Sequence, residues 1–288
     1  MVRPYAVKGK KKRRKTEERY DKQEEDEEEN HDQELDSVQT KEEEEPDQEE
    51  KEPEEEEEDG DSVELEGIPL APSTQKPKDQ PGVIFILEKA SLEVAKVGKT
   101  YQLLNSDDHA HFLMKNNKNP GDYRPDIAHQ ALLMILDSPL NKAGRLRAVY
   151  VRTEKGVLIE VKPVVRLPRT FKRFSGIMLQ LLQKLSINAA GKRQKLLRVI
   201  KNPVTQYLPI DSRKIGLSYS SDKLVKMHDY VETFSDETNL VFVVGAMAHG
   251  KIEPDYVDDY IAVSGYPLSA AYCITMICQA MERKWNIL

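Results

Sequence analysis

Three stretches hold residue types from which chemistry can be built. The densest is RLPRTFKRF, Arg166 to Phe174. Arg169 and Arg173 are four apart and share one helix face, with Arg166 ahead of them across the Pro168 turn. Thr170 stands where it can cap that helix. Guanidinium forks and Lys172 near a helix N-terminus suit phosphate oxygens, because planar donors and the helix dipole both favour anions. Phe171 and Phe174, interleaved with the cations, offer either a base-stacking face or two core side chains. The second stretch is Arg124-Pro125-Asp126. Its Arg and Asp can pair and orient each other; alternatively the carboxylate accepts a proton while the guanidinium grips a phosphate or base edge. The third is VGAMAHGK, Val244 to Lys251, where Gly245 and Gly250 let the backbone turn sharply or approach a ligand closely. It lacks the spacing and the hydroxyl of a phosphate loop, and His249, like His129, reads as structural. No dinucleotide-binding fingerprint, phosphate loop or nucleophile elbow occurs.

These groups need a scaffold. Leu240–Val244 is an apolar run with β-branched members, the pattern of a strand covered on both faces. Ile261–Val263 reads as a second strand, SGYP as a turn, and Leu268–Met281 as a helix. Gly82–Leu87 is the first clear strand, followed by an amphipathic Glu/Lys-rich stretch. Pro125 and Asp126 open a helix over Ile127–Leu136, Pro at a favourable first-turn position and Asp at the positive end. Ala148–Arg152 and Val157–Val161 flank Glu154-Lys155-Gly156 as a hairpin. Thr170–Leu185 reads as a helix and Lys214–Ser218 as a strand. Ser221 or Asp222 is expected to cap a helix reaching about Phe234. Strands alternating with helices predict an α/β fold, a mainly parallel sheet with helices on both faces.

Charge divides the chain. Residues 1–80 hold 14 Lys+Arg against 30 Asp+Glu, net −16, and the remainder is net +9. The first segment has few large apolar residues and long Glu runs, so it cannot bury enough surface to offset chain entropy and is expected to be a disordered arm. Its basic start, Lys8 to Lys15, resembles a nuclear localisation signal or serves as a polyanion-binding tail. Residues 81–288 are ample for one domain. No stretch approaches a membrane span, the charged start is no signal peptide, and Cys273 and Cys278 suit neither a disulfide framework nor a zinc site. The expectation is an intracellular chain without metal whose basic body binds RNA and has a ligand pocket near Gly245 and Gly250.

Five blocks in order then point further: YRPD (Tyr123–Asp126), DSPLNKAG (Asp137–Gly144), RLPRTFKRFSG (Arg166–Gly176), VGAMAHG (Val244–Gly250) and YPLSA (Tyr266–Ala270). With Trp285–Leu288 at the chain end, they resemble the Nep/Emg family of ribosome-biogenesis methyltransferases over about residues 82–288. The resemblance implies a SPOUT-class fold, a parallel sheet with helices on both faces and a C-terminal trefoil knot made around Gly245–Gly250 and Ile261–Leu268. It implies an S-adenosylmethionine pocket at Leu217, Gly245, Gly250, Lys251, Ile252, Ile261, Ala262, Val263, Ser264, Gly265 and Tyr266. Gly265 stands where relatives are expected to have Asn.

The same resemblance implies RNA contacts at Arg124, Arg166, Arg169 and Arg173, with Asp126 steadying Arg124 or taking a proton. The implied activity is methylation of N1 of a pseudouridine in small-subunit ribosomal RNA, by direct transfer without metal. It also implies a homodimer working with ribosome assembly factors in the nucleus and nucleolus. The alternative is an assembly factor that binds pre-rRNA without catalysis.

Overall fold

The computed structural model describes residues 80–190, 194–252 and 254–287. Apart from Gln80, the expected arm, with its basic run Lys8–Lys15, lies outside the described residues. The chain order is β1 (Val83–Ala90), β2 (Val94–Val97), β3 (Thr100–Leu103), α1 (Ser106–Lys115), α2 (Pro125–Asp137), α3 (Pro139–Lys142), β4 (Leu146–Thr153) and β5 (Leu158–Val161). It continues with α4 (Phe171–Lys184), β6 (Ser186–Asn188), β7 (Lys195–Ile200), β8 (Arg213–Leu217), α5 (Met227–Glu232), β9 (Leu240–Gly245), β10 (Asp259–Ile261) and α6 (Ala270–Lys284).

Eight strands form one sheet in the order β10-β8-β9-β1-β4-β5-β7-β6, and β2 and β3 pair separately as a ribbon. From β10 to β4 every pairing is parallel. From β4 to β6 every pairing is antiparallel. The five parallel strands therefore deliver their carboxyl ends to one edge, where open α/β sheets bind ligands.

The central strands are continuous apolar runs because both faces are covered. Val83, Phe85 and Leu87 join Phe242 and Val244 in a core closed by α2, α4, α5 and α6. Phe85 and Phe242 are register partners with ring centroids 6.0 Å apart. Ile84, Ile86, Val241 and Val243 point the other way, under Val204, Ile252 and Tyr256. Helical cover is unequal: the α-helices collect on the first face, and the second is closed by the 3-10 turn Val204–Tyr207 and the loop after β9.

Long-range bonds pin the C-terminal helix. The Glu282 carboxylate, buried, accepts the Leu140 N–H at 2.9 Å, and Lys284 donates to the Phe234 carbonyl at 2.9 Å. The Arg145 guanidinium lies 3.9 Å from the centre of the Trp285 ring. Among the described residues no helix is long and apolar enough to cross a membrane, and no group of three or more His, Cys, Asp or Glu is placed to hold a metal.

Several expected boundaries are corrected. The helix expected from Ser221 or Asp222 to Phe234 spans only Met227–Glu232. Residues ahead of it run extended instead: Ala262 donates to the Lys223 carbonyl at 2.8 Å and Val225 donates to the Ala262 carbonyl at 2.9 Å. Ser221 Oγ, the expected cap, donates to the Tyr260 carbonyl. The strand expected at Ile261–Val263 is Asp259–Ile261. Thr170 holds the cap position of α4 without a side-chain capping bond.

Candidate active site

The parallel edge brings most of the expected cofactor positions together. Leu217 ends β8 and Ile261 ends β10, and the two are register partners. Ser218 N–H donates to the Ile261 carbonyl at 2.9 Å, which ties the two exits. Gly245 ends β9, beside β8, and a Cβ built on it would lie 3.4 Å from Ile252 Cγ2. Leu217, Ile261 and Ala262 are buried at the ends of β8 and β10, and Ile252 is buried on the second face against Gly245. Val263 and Ser264 are half-buried, and Gly250, Lys251, Gly265 and Tyr266 are exposed. Gly250 has φ +101°, a conformation that requires glycine, whereas Gly245 has an ordinary φ and is held by packing alone. A Cβ at Gly265 meets nothing within 4 Å, so a side chain there has room.

The loop after β9 is fixed by the tip of β1. The Glu88 carbonyl accepts the Ala246 N–H at 2.8 Å where the loop leaves the sheet. The buried Glu88 carboxylate accepts the Tyr256 hydroxyl at 2.8 Å where the loop returns, with Arg152 3.6 Å from its other oxygen. Lys89, at φ +55°, donates to the Lys251 carbonyl at 2.6 Å. Burial and the Glu88 charge push the Tyr256 hydroxyl well above its ordinary range, so it stays a donor. An open depression of about 470 Å³ sits between this clamp and the loop.

Arg124 immediately precedes α2, and its Nε and terminal nitrogen donate to the two Asp126 oxygens at 2.8 and 2.7 Å. This bidentate fork is the main reason the Asp126 carboxyl lies below its usual range. Both oxygens face a permanent cation, so Asp126 is an orienting group and a weak proton acceptor. Arg124 remains 44% exposed through its side chain.

The other arginines sit on the segment that enters α4 and on its first turn. Arg166, Arg169 and Arg173 are exposed, and Arg169 approaches Asp137, the last residue of α2, at 3.2 Å. His129, on α2, bonds the Pro168 carbonyl at 2.8 Å and stacks on Phe174 with centroids 4.3 Å apart. It locks the arginine segment to α2. Phe174 is fully buried and Phe171, half-buried, packs on the same core, so of the two readings open for these rings the structure supports core side chains.

A profile described as EMG1/NEP1 methyltransferase matches residues 85–282. The chain belongs to this family. Among its relatives, the ribosomal RNA small subunit methyltransferase NEP1 of Mus musculus is 52% identical over 206 residues, covering 72% of this chain and 83% of the relative. The nep-1 protein of Caenorhabditis elegans is 50% identical over 211 residues, covering 73% and 90%. The crystal structure of Archaeoglobus fulgidus Nep1 bound to S-adenosylhomocysteine superposes with a TM-score of 0.54 over 71% of this chain and 99% of that chain, at 21% identity. That likeness shows the EMG1/NEP1 fold, an α/β layer around a largely parallel sheet.

All the expected cofactor and RNA-contact positions fall inside the matched span. The clamp of Glu88, Lys89 and Tyr256 has no motif of its own. The signal available in the sequence was an acidic residue ending the apolar run VIFIL, a poor place for a carboxylate unless something pairs with it.

Proposed function

We propose that this chain transfers a methyl group from S-adenosylmethionine to N1 of a pseudouridine in small-subunit ribosomal RNA during small-subunit biogenesis. Relatives at about half identity named as ribosomal RNA small subunit methyltransferases support the reaction class. The archaeal relative's bound S-adenosylhomocysteine supports the cofactor. The observation that carries the reading is geometric: Leu217, Gly245, Ile252, Ile261 and Ala262 converge at the carboxyl edge of three adjacent parallel strands.

Those residues suit an adenosyl group. Aliphatic side chains at the strand ends offer a surface to a flat purine, and glycine at 250 and 265, where an added Cβ meets nothing within 4 Å, keeps main-chain donors and acceptors approachable. When bound, the cofactor supplies a methyl carbon made electrophilic by positive sulfur. The protein's part is to bind, orient and exclude water. Arg124, held by Asp126, is positioned to grip the RNA beside the target, and an extruded base reaches the edge past it. The N1 proton leaves to solvent, since Asp126 is occupied by Arg124. Arg166, Arg169 and Arg173 neutralise backbone phosphates at the entrance to α4, with Arg169 reaching the last residue of α2. The same reading includes the threaded C-terminal knot, a homodimer, assembly-factor partners and a nuclear, nucleolar location. The strand order β10-β8-β9 supports the knot, because β10 returns to the far side of β8 after β9 has formed.

Mass spectrometry of a small-subunit RNA hairpin, incubated with the protein and S-adenosylmethionine, tests the proposal. One methyl should appear on the pseudouridine hairpin and none on the same hairpin carrying uridine. Tight binding of both ligands without methyl transfer would leave the assembly-factor alternative.

A further inference from the structure

We propose that the β2–β3 ribbon is a second contact for the RNA substrate, with Tyr101 stacking on a base that flanks the target and Lys96 and Lys99 meeting phosphates. The inference rests on the RNA methyltransferase reading and adds a surface to it.

The ribbon is built to be held firmly at its base and left open at its tip. Val94 opposes Leu103 and Lys96 opposes Tyr101 across a turn at Gly98, which has φ +64°. Opposed residues share a face and alternate residues repeat it, so these four side chains line one side of the ribbon. At the base, Leu103 is buried in the main core with Val94 packed against it. On the other side, the Gln102 amide bonds the buried His109 ring at 2.8 Å. Just before β2, Glu93 accepts Lys118 at 2.5 Å and the Tyr123 hydroxyl at 3.1 Å, with Lys155 3.8 Å away. Burial alone would raise the Glu93 carboxyl, but the Lys118 and Tyr123 bonds outweigh it and hold it below its usual range.

A two-stranded ribbon is marginal on its own. This one is anchored by the core, by α1 and by Glu93. Beyond those anchors Lys96, Lys99, Thr100 and Tyr101 are all exposed, and Tyr101 keeps 55% of its surface in water. Core packing does not call for an aromatic at that place. An exposed ring opposite one lysine and two residues from another is a combination that binds a nucleic-acid strand without reading its sequence.

Topology places the ribbon on the working edge. It leaves the carboxyl end of β1, the same edge at which β8, β9 and β10 present the cofactor segments. Glu93 holds Tyr123, whose next residue is Arg124. Ribbon, Arg124 and cofactor edge are thereby mechanically continuous, and an RNA strand reaching the edge past Arg124 passes the ribbon. Gln102, the ribbon's amide side chain, is committed to His109, so the contact tolerates different bases.

The test measures binding of the full-length protein to a fluorescent small-subunit RNA hairpin by anisotropy across a salt series, beside titration with S-adenosylhomocysteine. Tyr101→Ala should raise the RNA Kd about 5- to 50-fold, and Tyr101→Trp should restore it. Lys96→Ala combined with Lys99→Ala should flatten the salt dependence by about 1.4 in slope, two phosphates on a single strand. Melting temperature and S-adenosylhomocysteine affinity should stay at wild-type values. If Tyr101→Ala and the lysine pair bind RNA normally while Arg169→Ala and Arg173→Ala bind weakly, the ribbon is not an RNA contact and the methyltransferase reading stands. If those ribbon variants bind RNA normally but lose an assembly protein, the surface belongs to that partner and the proposal fails. A wild-type chain that binds neither this hairpin nor an unrelated RNA overturns the substrate reading and the ribbon with it.

Discussion

Gly245 is the position at which the pocket can be tested most sharply. A Cβ there would lie 2.9 Å from Met247 Sδ, 3.0 Å from Met247 Cε and 3.4 Å from Ile252 Cγ2. The first distance is shorter than real Cβ contacts and the second is tighter than most, yet both belong to the far end of a flexible side chain that can swing aside. Gly245→Ala should therefore cost the fold little, about 1 kcal/mol, the low end of overpacking. That corresponds to a fall in Tm of about 2–4 °C. Gly245→Val adds two branches that press on Ile252 and should cost about 2–3 kcal/mol. Backbone strain contributes nothing, because φ at Gly245 is ordinary. The folded Gly245→Val protein should also lose S-adenosylhomocysteine affinity by at least about 30-fold, or about 2 kcal/mol in binding. RNA affinity should change by less than about two-fold. Combining Gly245→Ala with Met247→Ala removes the clashing atoms: stability should recover while cofactor affinity stays low. Calorimetric titration and a thermal melt decide it. A folded Gly245→Val protein that titrates S-adenosylhomocysteine normally would place the pocket elsewhere and refute the transfer of the whole cofactor set.

Three further outcomes follow from the geometry. Asp126 is held below its ordinary value near 3.8, so its ion pair with Arg124 is complete above that pH and is lost only as pH falls below it. The pH–rate profile should show no Asp126 limb between about pH 5 and 9, and Asp126→Asn should lower kcat/KM for RNA about ten-fold without reshaping it; a carboxylate limb abolished by this substitution would make Asp126 the base. Arg169 and Asp137 form an exposed pair worth about 0–1 kcal/mol, so Arg169→Ala should barely move Tm while lowering the salt slope of RNA binding by about 0.7–0.9; an unchanged slope returns Arg169 to a solvated surface role. Tyr256→Phe strands the buried Glu88 oxygen at a cost of about 1–3 kcal/mol and should weaken S-adenosylhomocysteine binding several-fold by loosening the loop after β9; full affinity with a lowered Tm would make the clamp purely structural.

Much of the scaffold was legible because it is local. VIFIL and LVFVV announce strands without help from neighbours, and Pro125 with Asp126 marks the start of α2 before any packing is considered. The hairpin of β4 and β5 is signalled by Gly156, which has φ +80°. The failures are where distant backbone decides. Ser221 and Asp222 have the chemistry of helix caps, but residues 223–225 are taken by Ala262, a partner no local pattern reveals. β6 and β10, three residues each, are too short to show a period and exist because a neighbouring strand offers hydrogen bonds. The stretch after β1, read only as amphipathic, divides at Gly98 into a ribbon and then reaches α1, capped by Asn105.

The two halves of the candidate site differ in the same way. The arginines are legible from residue type, because exposed guanidiniums at helical spacing have few uses other than anions. Their aromatic neighbours are not, since a phenylalanine looks alike whether it stacks on a base or fills a core. Only the His129 ring at 4.3 Å and complete burial assign Phe174 to the core. The cofactor positions are legible only as a family likeness. Leu217, Ile252 and Ala262 are ordinary aliphatic residues, and none has chemistry of its own. What brings them to one edge is the parallel register that sets Leu217 against Ile261 and the clamp at Glu88 that folds Ile252 back against Gly245. A pocket made of main chain and aliphatic surface is specified by topology, whereas an anion site is specified by side chains. That is why substitutions at the arginines should change RNA binding and spare the fold, while substitutions at the pocket must always be read beside a melting curve.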